Sequence, residues 1–129
     1  MRNITHLRNR DFIRQYFRSE RSLRLRGLIP SPEEIVRHAL AQPAPSYYVD
    51  YYRAVKHLTG PKKPKKPTRV YASSVQWRDM ATDLRRIRRQ RPTADVREII
   101  LDMCSGRAGY PRFYITPRRA MEIVQRSLY

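Results

Sequence analysis

The strongest constraint on this chain is that it carries one pattern twice. Residues 111–120, Pro111-Arg112-Phe113-Tyr114-Ile115-Thr116-Pro117-Arg118-Arg119-Ala120, are matched by a looser copy at 45–54, Pro45-Ser46-Tyr47-Tyr48-Val49-Asp50-Tyr51-Tyr52-Arg53-Ala54. Each copy holds an aromatic pair, a β-branched residue, a helix-capping residue and an Arg-Ala step. The match extends upstream. Ile35, Val36, Ala39 and Leu40 recur as Ile99, Ile100, Met103 and Cys104 at a constant spacing of 64 positions, which also relates Ile13 to Trp77 and Leu23 to Ile87. Past the following loop the spacing becomes 66, as for Tyr48 and Tyr114, so the second copy has two extra residues within 106–110. A fixed period interrupted by one small insertion marks a tandem repeat whose copies are the same supersecondary unit.

Within each copy the apolar positions follow helical spacing. Residues 9–26 read as a basic amphipathic helix with Ile13, Tyr16, Phe17 and Leu23 on one side and Arg10, Arg14, Arg18, Arg21 and Arg24 around the rest. Gly27 and Pro30 end it. Ser31-Pro32-Glu33-Glu34 is a helix start, with a capping serine, proline at the first helical position and a glutamate three residues on. That second helix buries Ile35, Val36, Ala39 and Leu40 and stops before Pro43. Prolines 43 and 45 force an extended bend, and Asp50 caps a third helix from 51 to about 58. In the second copy Ser74 is the expected cap of a helix with Trp77, Met80, Ala81, Leu84 and Ile87 on one face. Asp95 and Glu98 repeat the capping box, and Thr116 with Pro117 opens the last helix, which buries Ala120, Ile123, Val124 and Leu128.

Between the copies lies Pro61-Lys62-Lys63-Pro64-Lys65-Lys66-Pro67-Thr68-Arg69, cations and prolines without an acid. Such a segment joins no core and reads as an extended cationic linker. The expected organisation is all-α: a first three-helix unit over 1–60, a linker over 61–70 and a second three-helix unit over 71–129, each with an extended aromatic turn before its third helix.

Charge points to the partner. The chain has 28 Lys and Arg against 11 Asp and Glu, a formal +17. A field of that sign repels other copies and attracts polyanions, which makes nucleic acid the leading partner, ahead of an anionic membrane surface. No stretch approaches membrane-spanning length and no apolar run follows the basic N-terminal residues, so a cytoplasmic protein is expected. The single cysteine, Cys104, excludes an intrachain disulfide and a cysteine zinc site.

Two consecutive helices, an extended turn and a third helix in about sixty residues resemble the homeodomain-like and Myb-like group of DNA-binding modules, over nearly the whole chain. In that helix-turn-helix-like group the third helix enters the major groove. The chain departs from it in the segment before the third helix, 42–49 or 106–115, which is longer than a three- or four-residue turn. The repeated proline-aromatic-tyrosine turn is also similar to one in small basic proteins of phages and bacterial mobile elements, which implies a genetic setting and no mechanism. What the first resemblance implies is duplex DNA as partner, with Tyr52, Arg53 and Lys56 on one third helix and Arg118, Arg119 and Glu122 on the other as exposed candidates. An arginine bridging guanine O6 and N7 supplies about 1–3 kcal/mol of discrimination. The alternative for Arg53 and Arg119 is to cover the apolar face or pair with a helix carboxylate. Lys62, Lys63, Lys65, Lys66 and Arg69 in the linker, Arg85, Arg86, Arg88 and Arg89 on the fourth helix, and Arg112 in the turn are phosphate-binding candidates.

Tyr47, Tyr48, Phe113 and Tyr114 have two readings, stacking on unpaired bases or fixing the turn against the helices; their matched positions favour the second. The three histidines lack the spacing of a metal site or triad, and the acids are consumed at helix starts, so no catalytic residue, metal or cofactor is expected. The function expected from the sequence is a non-enzymatic double-stranded DNA-binding regulator or architectural factor with no small-molecule substrate. The alternatives are an RNA-binding component of a ribonucleoprotein and a protein-interaction adaptor.

Overall fold

Among the described residues, four of the six helices start where a side chain accepts the otherwise unpaired amide of the first turn. In the computed structural model, which describes residues 4–60 and 72–128, Ser31 accepts from the Glu34 amide at 3.2 Å, Asp50 from Arg53 at 3.1 Å, Asp95 from Arg97 at 3.1 Å and Thr116 from Arg119 at 3.2 Å. All four are the capping residues expected from sequence, and the polar oxygen satisfies a donor the helix itself leaves open. They define α2 (Pro32–Leu40), α3 (Tyr51–Thr59), α5 (Val96–Cys104) and α6 (Pro117–Leu128), alongside the longer α1 (Ile4–Leu25) and α4 (Ala72–Gln90). The two long helices start earlier than expected: α1 at residue 4, and α4 at residue 72, which places Ser74 inside the helix instead of at its cap. The described residues are all-α, and their one isolated β-bridge pairs Pro43 with Arg112 in antiparallel sense. The linker 61–70 lies outside the described residues.

The helices assemble into two cores that do not follow the repeat. One gathers Phe12, Tyr16 and Leu23 of α1, Ile35, Val36 and Ala39 of α2, and Ala120, Ile123 and Val124 of α6, with Phe113 and Ile115 of the turn before α6. The other gathers Met80, Leu84 and Ile87 of α4, Ile99, Ile100 and Met103 of α5, and Ala54 of α3, with Tyr47 of the turn before α3. The first two helices of each repeat are thus closed by the third helix of the other. Helix α6 packs on α1 and α2, and α3 on α4 and α5; among the described residues α3 does not pack on α2, nor α6 on α5. The expectation that each unit closes on its own third helix is therefore corrected. The physical reason is the long turn, whose prolines carry the chain across to the neighbouring pair before the third helix begins.

The exchange is reciprocal in detail. Tyr47 and Phe113, 66 positions apart, each enter the core of the opposite repeat, as do Ala54 and Ala120, while Tyr48 and Tyr114 turn back to their own. When equivalent elements make the same contacts in both directions, the relation between them is isologous, the signature of a two-fold axis. The antiparallel bridge, with the Ala44 amide donating to the Pro111 carbonyl at 2.9 Å, joins the two equivalent turns across that axis. The chain is a pseudo-two-fold dimer made from one polypeptide.

Among the described residues each core holds one buried polar residue, Ser19 in the first and Asp83 in the second, and these too are 64 positions apart. Burial of an oxygen is tolerated only with partners. Ser19 Oγ has His38 Nδ1 at 2.8 Å and Gln15 Nε2 at 3.1 Å. Asp83 accepts from the Tyr47 hydroxyl and the Tyr110 amide. Several expected core positions shift accordingly. Phe12 and Ser19 are buried, Phe17 and Leu128 are both 41% exposed, and Ile13, Trp77 and Ala81 are half-buried. Among the described residues no helix is long and apolar enough to cross a membrane.

Candidate nucleic-acid interface

The paired turn tyrosines are committed to the protein. Tyr47 is 1% exposed and Phe113 5%. Tyr48 donates to Asp11 at 2.6 Å and Tyr114 to Asp79 at 2.8 Å. Burial, then the hydrogen bond and charge of the neighbouring carboxylate, raises the pKa of all three phenols. They serve as hydrogen-bond donors fixing the turns, the reading that their matched positions favoured. Among the described residues the exposed tyrosines are Tyr52, at 79%, and Tyr110, at 68%.

The acids are likewise committed. Asp11, Asp79 and Asp83 hold the turn tyrosines, and Asp50 and Asp95 cap helices. Glu33, Glu34 and Glu98 occupy first turns, where they offset the positive end of the helix dipole. Glu20 pairs with Arg24, Asp102 with Arg91, and Glu122 with Arg118 and Arg119. All eleven acids thus have a structural task, and the excess of arginine is left on the surface.

The exchange decides which arginines meet. Beside α6 stand cations of the first repeat. Arg37 of α2 lines a cavity with Arg118, and Arg119 is near enough to Arg8 of α1 to lower its pKa, although burial is the larger cause. Beside α3 stand cations of the second repeat: Arg78, Arg85 and Arg88 line a cavity with His57, whose ring stacks on Trp77 at 4.1 Å. The predicted residues of α4 thus divide. Arg85 and Arg88 flank α3, with exposed Arg53 and Lys56 on that helix. Arg86 instead lies over the Tyr110 ring at 5.3 Å and 3.7 Å from Asp83, in a groove of about 760 Å³ at the junction of the repeats that Arg112 also lines. Arg89 is exposed near the end of α4. Arg8, Arg37 and Arg78 were not singled out in the sequence, because only the exchange places them beside a third helix. Lys62, Lys63, Lys65, Lys66 and Arg69 lie outside the described residues.

The two third helices present different chemistry at equivalent positions. Arg118 is almost fully exposed and reaches Glu122 only at 3.9 Å, whereas Arg119 donates to the other oxygen of Glu122 at 2.9 Å. The hydrogen bond from Arg119 is the main cause holding the Glu122 carboxyl below its ordinary pKa. Arg119 is thus paired with a helix carboxylate, and Arg118 projects outward. Sixty-six positions earlier stand Tyr52, Arg53 and Lys56 in place of Arg118, Arg119 and Glu122.

Cys104 packs at the edge of the second core, and burial, with a smaller effect of Asp50, pushes its thiol up to about 11, so it is protonated at neutral pH. Among the described residues no three His, Cys, Asp or Glu side chains gather where they would hold a metal ion. Comparison with protein-family models, curated proteins and solved structures gives no match.

Proposed function

We propose that the protein is a non-enzymatic double-stranded DNA-binding protein, a regulator or architectural factor that grips duplex phosphates with arginines flanking α3 and α6 and presents the first turns of those helices to the bases. The observation that supports this most is the division of charge. Every acid is engaged in capping, in offsetting the positive end of a helix, in holding a turn tyrosine or in an ion pair, while arginines from two or three helices collect beside each third helix. Such a surface is stabilised by a polyanion and strained by self-repulsion without one. Arg118, exposed in the first turn of α6, is the leading base-contacting residue. Arg8, Arg37, Arg78, Arg85 and Arg88 contact phosphates and set affinity without reading sequence.

The test is a titration of labelled duplex, single-stranded DNA and structured RNA at several salt concentrations. The expected result is a duplex preference with log affinity falling linearly in log salt, at a slope of about −0.9 per phosphate contacted. Arg118→Ala combined with Arg119→Ala weakens duplex binding and lowers that slope. A strong preference for single-stranded or structured RNA overturns the proposal in favour of a ribonucleoprotein component. Weak binding to every nucleic acid overturns it in favour of an adaptor. Unchanged duplex binding by the double variant removes the third helix as reader.

A further inference from the structure

Tandem modules packed independently meet a duplex head to tail and read a direct repeat. The exchange gives this chain a different symmetry. Equivalent side chains 66 positions apart trade cores in both directions, Tyr47 for Phe113 and Ala54 for Ala120, and the two turns that feed α3 and α6 meet in an antiparallel bridge at Pro43 and Arg112. Neither a translation nor a screw operation produces reciprocal contacts of this kind; a two-fold does. Helices α3 and α6 therefore run from the axis as two-fold mates. Duplex DNA has two-fold axes perpendicular to its own, and a protein with matching symmetry sets two equivalent elements on half-sites of opposite orientation.

We infer that the binding site is an inverted repeat with unlike halves, one half read from α3 and the other from α6. This rests on the duplex-binding reading above. Opposite orientation follows from the two-fold relation. Unlike halves follow from the side chains at equivalent positions: Tyr52 against Arg118 and Lys56 against Glu122, with only Arg53 and Arg119 in common. The half under α6 takes a guanine from Arg118, and an adjacent base that tolerates the Glu122 carboxylate. The half under α3 meets an aromatic face, a lysine and the exposed Arg53, with Tyr52 standing where α6 has Arg118.

The experiment is selection of the full chain on a random duplex library at moderate salt, followed by binding to the selected site, to the same site with one half turned around, and to a symmetric palindrome of each half. The expected outcome is an inverted repeat with unlike halves, in which turning one half around costs roughly tenfold or more, the loss of one good base contact. The paired substitutions Tyr52→Arg and Lys56→Glu, both at exposed positions, give α3 the chemistry of α6 and shift the preference to the symmetric palindrome of the α6 half. A selected direct repeat, a single half-site, or duplex binding without sequence enrichment overturns the inference and leaves duplex binding standing. Failure to retain any duplex overturns the duplex-binding reading itself.

Discussion

The two cores are built on one plan and solve one problem in two ways. In the core closed by α6, the aromatic arriving from the opposite repeat is Phe113, which meets Phe12 edge-on at 5.4 Å and brings no polar atom. The buried polar position there is Ser19, served by His38 and Gln15 of its own repeat. In the core closed by α3 the arriving aromatic is Tyr47, and the equivalent polar position has become Asp83, which accepts its hydroxyl proton. The two extra residues of the second repeat complete this arrangement. They let the Tyr110 amide donate to the Tyr47 oxygen at 2.9 Å, through a turn in which Gly109 has φ +87° and no side chain would fit against the Tyr47 ring. An incoming hydroxyl, a carboxylate and a two-residue insertion form one unit. Where the hydroxyl is missing, the carboxylate is missing too.

The difference between the cores depends on the exchange, and breaking the exchange has the largest expected effect. With a specific protease site placed in 61–70 and cut in the folded protein, the two fragments stay together on size-exclusion chromatography and part only in denaturant. Each fragment's first two helices are closed by the other's third helix, with Ile123 and Val124 or Ala54 at the contact. Fragments that separate freely in native buffer would show each repeat to be self-contained and would remove the pseudo-two-fold.

The exchange itself was not legible in the sequence, for a physical reason. Because both third helices carry the same apolar pattern, either one fits either helix pair, and periodicity does not distinguish the pairings. The pairing of Tyr47 with Asp83 and the long proline-bearing turns are its traces in the sequence, and both are compatible with other pairings. Capping was legible because it is local: Ser31, Asp50, Asp95 and Thr116 bond amides within three residues. The buried face of α1 was only half legible. Apolarity favours Phe17 over Ser19, yet Ser19 is the buried one because His38, 19 positions away, supplies its partner. Of the candidate interface, the individual cations of α3, α4 and α6 were legible, but their grouping was not. It required knowing that Arg85 and Arg88 face α3 and that Arg37 faces α6.

A smaller effect sharpens the contrast between the cores. Tyr47→Phe gives the second core the aromatic of the first while keeping Asp83, and costs about 1–3 kcal/mol for a buried acceptor that loses its donor. The mirror substitution, Phe113→Tyr, brings a hydroxyl to a core whose serine is already engaged, and is destabilising by a similar amount, about 1–3 kcal/mol. Denaturant unfolding measures both; a neutral Phe113→Tyr would mean that the first core accepts either solution. The same contact sets a pH window. The phenol of Tyr47 has a folded pKa above its ordinary value of 10.0, from burial first and Asp83 second, so the folded state holds the proton more tightly than the unfolded chain. Its contribution is complete below about pH 10 and is lost as pH rises from there toward the folded value. Tyr48 and Tyr114 act in the same direction beside Asp11 and Asp79. Tyrosinate absorbance is therefore expected to rise together with loss of helix in alkaline titration, and Tyr47→Phe removes only one share of that dependence.

The smallest effect separates the two third helices. Glu122 stands where α3 has Lys56, and its carboxylate holds Arg119 and partly offsets Arg118. Near a duplex it also repels phosphate. Glu122→Gln keeps a carbonyl able to accept from Arg119 and removes the charge, so duplex affinity rises a few-fold at low salt and the gain shrinks as salt increases, since the surface charges are screened. Lys56→Glu on α3 does the reverse and weakens binding. If Glu122 acts only through repulsion, Gln raises affinity for all duplexes alike. If it also orients Arg119 or excludes a base, the selected α6 half-site loses preference as overall affinity grows. Measuring the variant on the selected site and on an unrelated duplex of equal length tells these apart, because phosphate repulsion is blind to sequence and base exclusion is not.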